Sequence, residues 1–324
     1  MVRATCFGRR LTEVVACFFI FAGAAFSQAP VQDALPFVLK PVAPGIYAAI
    51  DGPQHSAGSN AGFIIGENGV LVVDSFFNPA AARALVSEIH RLTPKPIRYL
   101  INTHYHIDHT GGDQILRNAG AIIIAHRNLR GWVRTYNINL LGDRITPELR
   151  AQIQVLPLPD LVTDKDLIIW LGSRKVVVRA MLGHTGSDLT IEVPDAKVLF
   201  TGDLLWRKVP PNLIDGSVEE WTATDADFMK MPDAAKTIFV PGHGDVANVR
   251  DVQDFRSYLL DLRRLVREGR RVGLKGDALA RSVTPKLRAA HSDWLISDRA
   301  AAFEILYMDQ ELEGTKHRPI PVAE

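Results

Sequence analysis

Three histidines and an aspartate stand within six residues of NTHYHIDHTGG (residues 102–112): His104, His106, Asp108 and His109. A structural histidine usually stands alone, whereas a metal ion requires several donors to converge on one point. His104 and His106 are two apart. On an extended segment they point to the same side and can reach one ion. Asp108 and His109 are adjacent, where a helix is expected to begin, and can face a second ion. Thr110, Gly111 and Gly112 let the backbone turn closely beneath them.

A four-coordinate ion needs more ligands than this stretch supplies. Three further candidates each follow an apolar, strand-like run and are flanked by glycine: His184 in GHTGSD, Asp203 in FTGD and His243 in VPGHGD. Any one of them alone reads as structural. The seven together form one consistent donor set.

The surrounding pattern is α/β. GIYAAIDG, NAGFIIGENG and GVLVVDS read as strands, with GENG as a hairpin turn. Helical spacing over 80–92 precedes the strand PIRYLINT, which is strand–helix–strand order. The histidine cluster follows the C-terminal end of that strand, where open α/β sheets place ligands. A short helix over 114–119 and the strand AIIIAH come next. DLIIWLG, KVVVRAML, DLTIEVP, KVLFTGD and TIFVPGHG continue the strand rhythm. From about residue 249 the spacing turns helical, with two more helices expected around 278–290 and 297–312.

Composition matters at the N-terminus. Arg3, Arg9 and Arg10 precede the apolar run VVACFFIFAGAAF, which is too short for a membrane span of roughly 20 residues. Ala25 and Ser27 offer a small-x-small cleavage pattern, so residues 1–27 read as a secretory signal peptide and the location as periplasmic or secreted. Both cysteines, Cys6 and Cys17, fall inside this segment, leaving the remaining chain without thiolate ligands or disulfides. Its removal would take the net charge from +1 to about −1. That balance, with no basic cluster, argues against a nucleic-acid partner. No membrane association beyond the signal peptide is expected, and the partner is a small-molecule substrate.

HYHIDH, GHTGSD, TGD and PGHG, in this order, resemble the metallo-β-lactamase superfamily, and LVVDS, ending in Asp74, resembles its first motif. The resemblance covers roughly residues 37–257. It implies a four-layer αββα sandwich over 36–257; the helical spacing beyond it reads as a C-terminal helical extension over 258–324. It also implies a two-metal site. One ion takes His104, His106 and His184; the other takes Asp108, His109 and His243; Asp203 bridges them, and Asp74 is structural. Two Zn²⁺ suit imidazole and carboxylate donors, with iron or manganese as alternatives. Two such ions, about 3.5–4 Å apart, can share a hydroxide that attacks a carbonyl. Asp108 is the catalytic candidate, positioning the nucleophile or relaying its proton.

The implied activity is hydrolysis of an ester, thioester or lactone. The alternatives are a β-lactamase and a mononuclear iron persulfide dioxygenase. The best-known β-lactamase group carries cysteine where this chain has Asp203, and the full donor set argues against a single iron. Yet LLWRKVPPNLIDGSVEEW resembles the β-lactamases: Arg207 or Lys208 could pair with a substrate carboxylate, and Asn212 could polarise a carbonyl. His55, in the polar loop DGPQHSAGSN, is a further candidate because such a loop often borders the groove in this superfamily. His90, His126, His291 and His317 read as structural or exposed.

Overall fold

The computed structural model describes residues 35–142 and 145–322, so the expected signal peptide and its cleavage site lie outside the described residues. Seven strands form the first sheet, in the order β1 to β7: β1 (Phe37–Ala43), β2 (Ile46–Asp51), β3 (Ala61–Ile65), β4 (Val70–Val73), β5 (Ile97–Ile101), β6 (Ile122–His126) and β7 (Leu161–Thr163). Pairing is antiparallel from β1 to β4 and parallel from β4 to β7. The second sheet runs β12-β11-β10-β9-β8. Its strands are β8 (Leu167–Leu171), β9 (Arg174–Met181), β10 (Asp188–Val193), β11 (Val198–Trp206) and β12 (Ile238–His243).

The central strands read as near-continuous apolar runs because both of their faces are covered. β4 illustrates the two-residue period: Leu71 and Val73 face the inter-sheet core, while Val70 and Val72 face the helical side. The inter-sheet core interleaves Ile46, Ile64 and Ile101 with Val178, Ile191 and Phe200. Outside the first sheet pack α1 (Pro79–Leu92) and α3 (Asp113–Asn118), through Leu85, Ile89 and Leu116. α1 starts where Asn78 caps it, accepting from the Ala80 N–H at 2.9 Å, with Pro79 in the first turn.

Between β5 and β7 the chain forms α2 (Ile107–Thr110), α4 (Arg127–Trp132), α5 (Tyr136–Leu141) and α6 (Pro147–Gln154). Outside the second sheet lie α7 (Val218–Lys230), α8 (Val249–Arg271), α9 (Gly276–Ala290) and α10 (Asp298–Glu313). Their shared core joins Leu199 and Phe239 of the sheet to Trp221, Phe255, Tyr258 and Ile305. A capping box at Asn248 and Asp251 starts α8. The helix then runs unbroken through residue 257, where the helical extension is expected to begin. No helix among the described residues is long and apolar enough to cross a membrane.

Candidate metal centre

The donors lie at or near the C-terminal ends of strands. β5 delivers His104 and His106, with Asp108 and His109 in the single turn of α2. His184 follows β9, Asp203 lies within β11, and His243 ends β12. Close approach demands glycine here: a Cβ on Gly242 would stand 1.8 Å from Asp203 Oδ1.

All seven expected donors come together, in two groups. His104, His106, His184 and Asp203 form one; Asp108, His109, His243 and Asp203 form the other; within each, the donor atoms lie within 4.8 Å of one another. Asp203 turns one oxygen to each group. Its Oδ2 is 3.2 Å from His184 Nε2 and 3.7 Å from His104 Nε2. Its Oδ1 is 3.1 Å from His109 Nε2 and 3.5 Å from His243 Nε2. Asp108 Oδ2 stands 3.2 Å from His243 Nε2. The first group is sealed, whereas the Asp108 side chain is 28% exposed and that of His243 17%. The second group is therefore the open side.

Residues behind the donors assign the imidazole tautomers. Asp74 takes the Thr103 N–H on Oδ1 at 2.7 Å and the Thr103 hydroxyl on Oδ2 at 2.8 Å. With its proton spent on Asp74, the Thr103 oxygen accepts from His104 Nδ1 at 3.0 Å. His109 Nδ1 donates to Asp74 Oδ2 at 2.8 Å. His106 Nε2 donates to Asp215 Oδ2 at 3.2 Å, and the Tyr105 hydroxyl bonds the same oxygen. His104 Nε2, His106 Nδ1 and His109 Nε2 are left as lone pairs facing the centre.

These atoms fit a cation. His104 Nε2, His109 Nε2, His243 Nε2 and Asp203 Oδ1 are buried without a hydrogen-bond partner, though buried polar atoms are ordinarily satisfied. Burial pushes His184 down to about 3 and His104 well below its ordinary range, keeping both neutral as ligands must be. Burial also opposes charge on His243, but Asp203 and Asp108 outweigh it and lift it to about 9. Burial opposes charge on Asp203 too, yet the surrounding imidazoles hold it well below the usual carboxylate range.

The expected substrate contacts fare differently. Arg207 Nε is paired with Asp251 at 2.9 Å and Lys208 Nζ with Asp293 at 2.5 Å, so both cations are engaged within the fold. Asn212 lines a cleft next to Trp206, with its Oδ1 accepting from the Ile214 N–H at 3.0 Å. His55 is exposed, 2.9 Å from Asp51, and does not line that cleft. His126 caps α4, and His291 pairs with Asp261 at 3.1 Å.

Sequence reasoning missed Asp215, Trp206 and the orienting role of Asp74. Asp215 carries the signal of the other donors, a glycine beside it in IDGS. Its loop is held by residues near the C-terminus: Arg318 Nε donates to the Asp215 carbonyl at 3.1 Å and Lys316 Nζ to that of Gly216 at 2.5 Å. Trp206 stacks on His243, and no local pattern marks it.

The sequence matches the family described as "Metallo-beta-lactamase superfamily" over residues 57–272. It is 26% identical over 185 residues to metallo-beta-lactamase type 2 of Bacillus cereus, covering 56% of this chain and 64% of that protein. It is 30% identical over 132 residues to the acyl-coenzyme A thioesterase MBLAC2 of Bos taurus, covering 37% of this chain and 43% of that protein. The chain thus spans less than two thirds of the length of these curated relatives. Among solved structures, a metallo-beta-lactamase from Pontibacter korlensis aligns with TM-score 0.56 at 18% identity, over 69% of this chain and 99% of that one. A double mutant of the sec-alkyl sulfatase PisA1 aligns with TM-score 0.66 at 17% identity, over 86% of this chain and 50% of that one. The family match spans well over half of the chain, and two helix-flanked sheets carry the His/Asp set at their strand ends: the chain belongs to the metallo-β-lactamase superfamily, a superfamily of metal-dependent hydrolases.

Proposed function

We propose that this chain is a dinuclear metal-dependent hydrolase that cleaves a carbonyl bond of an ester, thioester or lactone. The observation that carries the reading is Asp203, with one carboxylate oxygen facing each donor group. A bridging carboxylate has a purpose only if both groups are filled. His104, His106 and His184 would hold one ion, and Asp108, His109 and His243 the other. The imidazole and carboxylate donors suit zinc.

Bound there, two divalent ions would lower the pKa of water and polarise the carbonyl under attack. The protein's own part is positional. Asp74 and Asp215 fix the imidazoles that face the centre, as residues behind metal ligands do. Asp108, on the open side, could also position the nucleophile or relay its proton. No cysteine is present beyond residue 17, so this reading uses no thiol nucleophile.

The relatives named as acyl-coenzyme A thioesterase and metallo-β-lactamase make the β-lactam amide the second reading. The apolar leader supports export, which we include in the proposal. Elemental analysis of purified protein, alongside turnover of a thioester, an acyl-homoserine lactone and a chromogenic cephalosporin, tests it. Two zinc equivalents with thioester or lactone turnover are expected. Cephalosporin turnover alone would favour the second reading, and one iron with no hydrolysis would overturn both.

A further inference from the structure

The cleft that Trp206 and Asn212 line has no role in the chemistry above. It encloses about 750 Å³, walled by Trp206, by Asn212 and Ile214 from the segment after β11, and by Arg299, Phe303 and Tyr307 of α10. The volume suits a small organic molecule. Segment 206–215 ties the cleft to the centre at both ends. Trp206 stacks on His243 of the open group, and Asp215 bonds His106 of the sealed group. Pro210, Pro211, Asn212 and Ile214 between them line the cleft, and Trp206 joins its wall to His243.

Its wall has two kinds of surface. Trp206, Ile214, Phe303 and Tyr307 are apolar or aromatic. Phe303 and Tyr307 lie one turn apart on α10 with ring centroids 4.6 Å apart, presenting a continuous aromatic surface. The charge comes from Arg299, one turn before Phe303 and exposed. It has no acidic partner among the described residues. Neighbouring Asp298 is taken by Arg288 at 2.7 Å. Arg207 and Lys208 are already paired, as described. Among the described residues, Arg299 is thus the cation in this wall available to an incoming anion. Its planar guanidinium matches a carboxylate bidentately.

We propose that this cleft is the substrate pocket, and that it selects substrates with an apolar acyl or aryl body bearing a carboxylate, which Arg299 engages. The bond cleaved is that of the proposed hydrolase, so this inference rests on that reading for its chemistry. The pocket itself is tested by binding. Selectivity would then come from α10, while the motif residues supply the reaction.

The experiment uses isothermal titration calorimetry on the whole protein with two probes, 4-phenylbutyrate and its uncharged amide. It is run on protein as purified and after chelator treatment, because a carboxylate can also ligate a metal. The acid is expected to bind about fivefold more tightly than the amide in both preparations, the scale of a single partly exposed ion pair. Arg299→Ala should erase that preference and Arg299→Lys should keep part of it. Phe303→Ala should weaken both probes alike, with Phe303→Leu as the variant that spares α10. Equal binding of the two probes by chelator-treated protein, or a preference unchanged in Arg299→Ala, would overturn the proposal. An Arg299-dependent preference without hydrolysis of any ester, thioester or lactone keeps the pocket and removes the hydrolase reading. Hydrolysis without the preference does the reverse.

Discussion

Trp206 lies over the imidazole of His243, with ring centroids 3.9 Å apart and planes 22° from parallel. The two are register partners at the ends of the parallel strands β11 and β12. The indole therefore limits the rotation of a donor whose own surroundings are partly open. Replacing Trp206 by Phe should preserve stacking and metal content. Trp206→Ala should weaken metal retention by about 10–100-fold, as losses behind a ligand do. Zinc retained after dialysis against a competing chelator measures this. Equal retention in the two variants would mean that the stack does not orient His243.

Asp215 acts on the other group. Burial opposes charge on its carboxyl, but His106 and Tyr105 hold it below its ordinary range, so it remains the acceptor that keeps the His106 proton on Nε2. Asp215→Asn should lower metal affinity by about 10–100-fold with little change in Tm. Chelator competition and calorimetry in parallel separate this from a folding defect.

Asp108 and Asp203 should respond differently. The Asp108 side chain is partly exposed, so Asp108→Ala should leave a folded protein and reduce hydrolysis by about 10²–10⁴-fold. Asp203 is buried between the groups. Asp203→Cys should keep metal binding and change the rate, and loss of both ions there would make the carboxylate bridge essential to assembly. Circular dichroism, metal analysis and turnover on the same samples distinguish these outcomes.

Glu304 predicts a pH dependence of stability away from the metal. It is buried on α10, accepting from the Tyr258 hydroxyl at 2.6 Å, with Oε1 unpartnered. Burial pushes its carboxyl well above its ordinary value of 4.5. Above that value the unfolded chain has released a proton that the folded protein still holds. Stability present below pH 4.5 is therefore lost as pH rises towards the folded value, by at most about 1.4 kcal/mol per unit. Glu304→Gln removes this titration, so its unfolding free energy in urea should fall less steeply between pH 5 and 8. Parallel slopes in the two proteins would show that this carboxyl is not perturbed.

Much of the architecture was legible because its signals are local. The strands from β2 to β6 and from β8 to β12 are apolar runs bounded by glycine and other turn residues, and α8 to α10 keep helical spacing. α7 escaped because its buried face includes Thr222, Thr224 and Asp225, which interrupt the apolar period. Thr222 is satisfied by the Val218 carbonyl at 2.8 Å and Thr224 by that of Leu182 at 2.6 Å, partners that no residue pattern announces. α4 to α6 are short segments, and α5 is held by the side chain of Asn137, which bonds the Tyr105 carbonyl and the Ile107 N–H. A buried asparagine in that role resembles a loop residue when read alone.

By itself, the sequence singled out the seven candidate donors that the fold gathers into two groups, because a metal ion demands particular atoms and glycine-flanked segments near strand ends are where such atoms can gather. The tertiary structure decided what stands behind and beside them. Asp215 reaches His106 across 109 positions of chain, and Arg299 borders the cleft from a helix far beyond the motifs. Arg207 and Lys208, cationic in any reading, are neutralised by Asp251 and Asp293, which only the packing of α8 and the α9–α10 connection brings near. Ligand identity follows from chemistry carried by single residues. Orientation, pairing and access depend on distances between residues remote in sequence, and those exist only once the chain has folded.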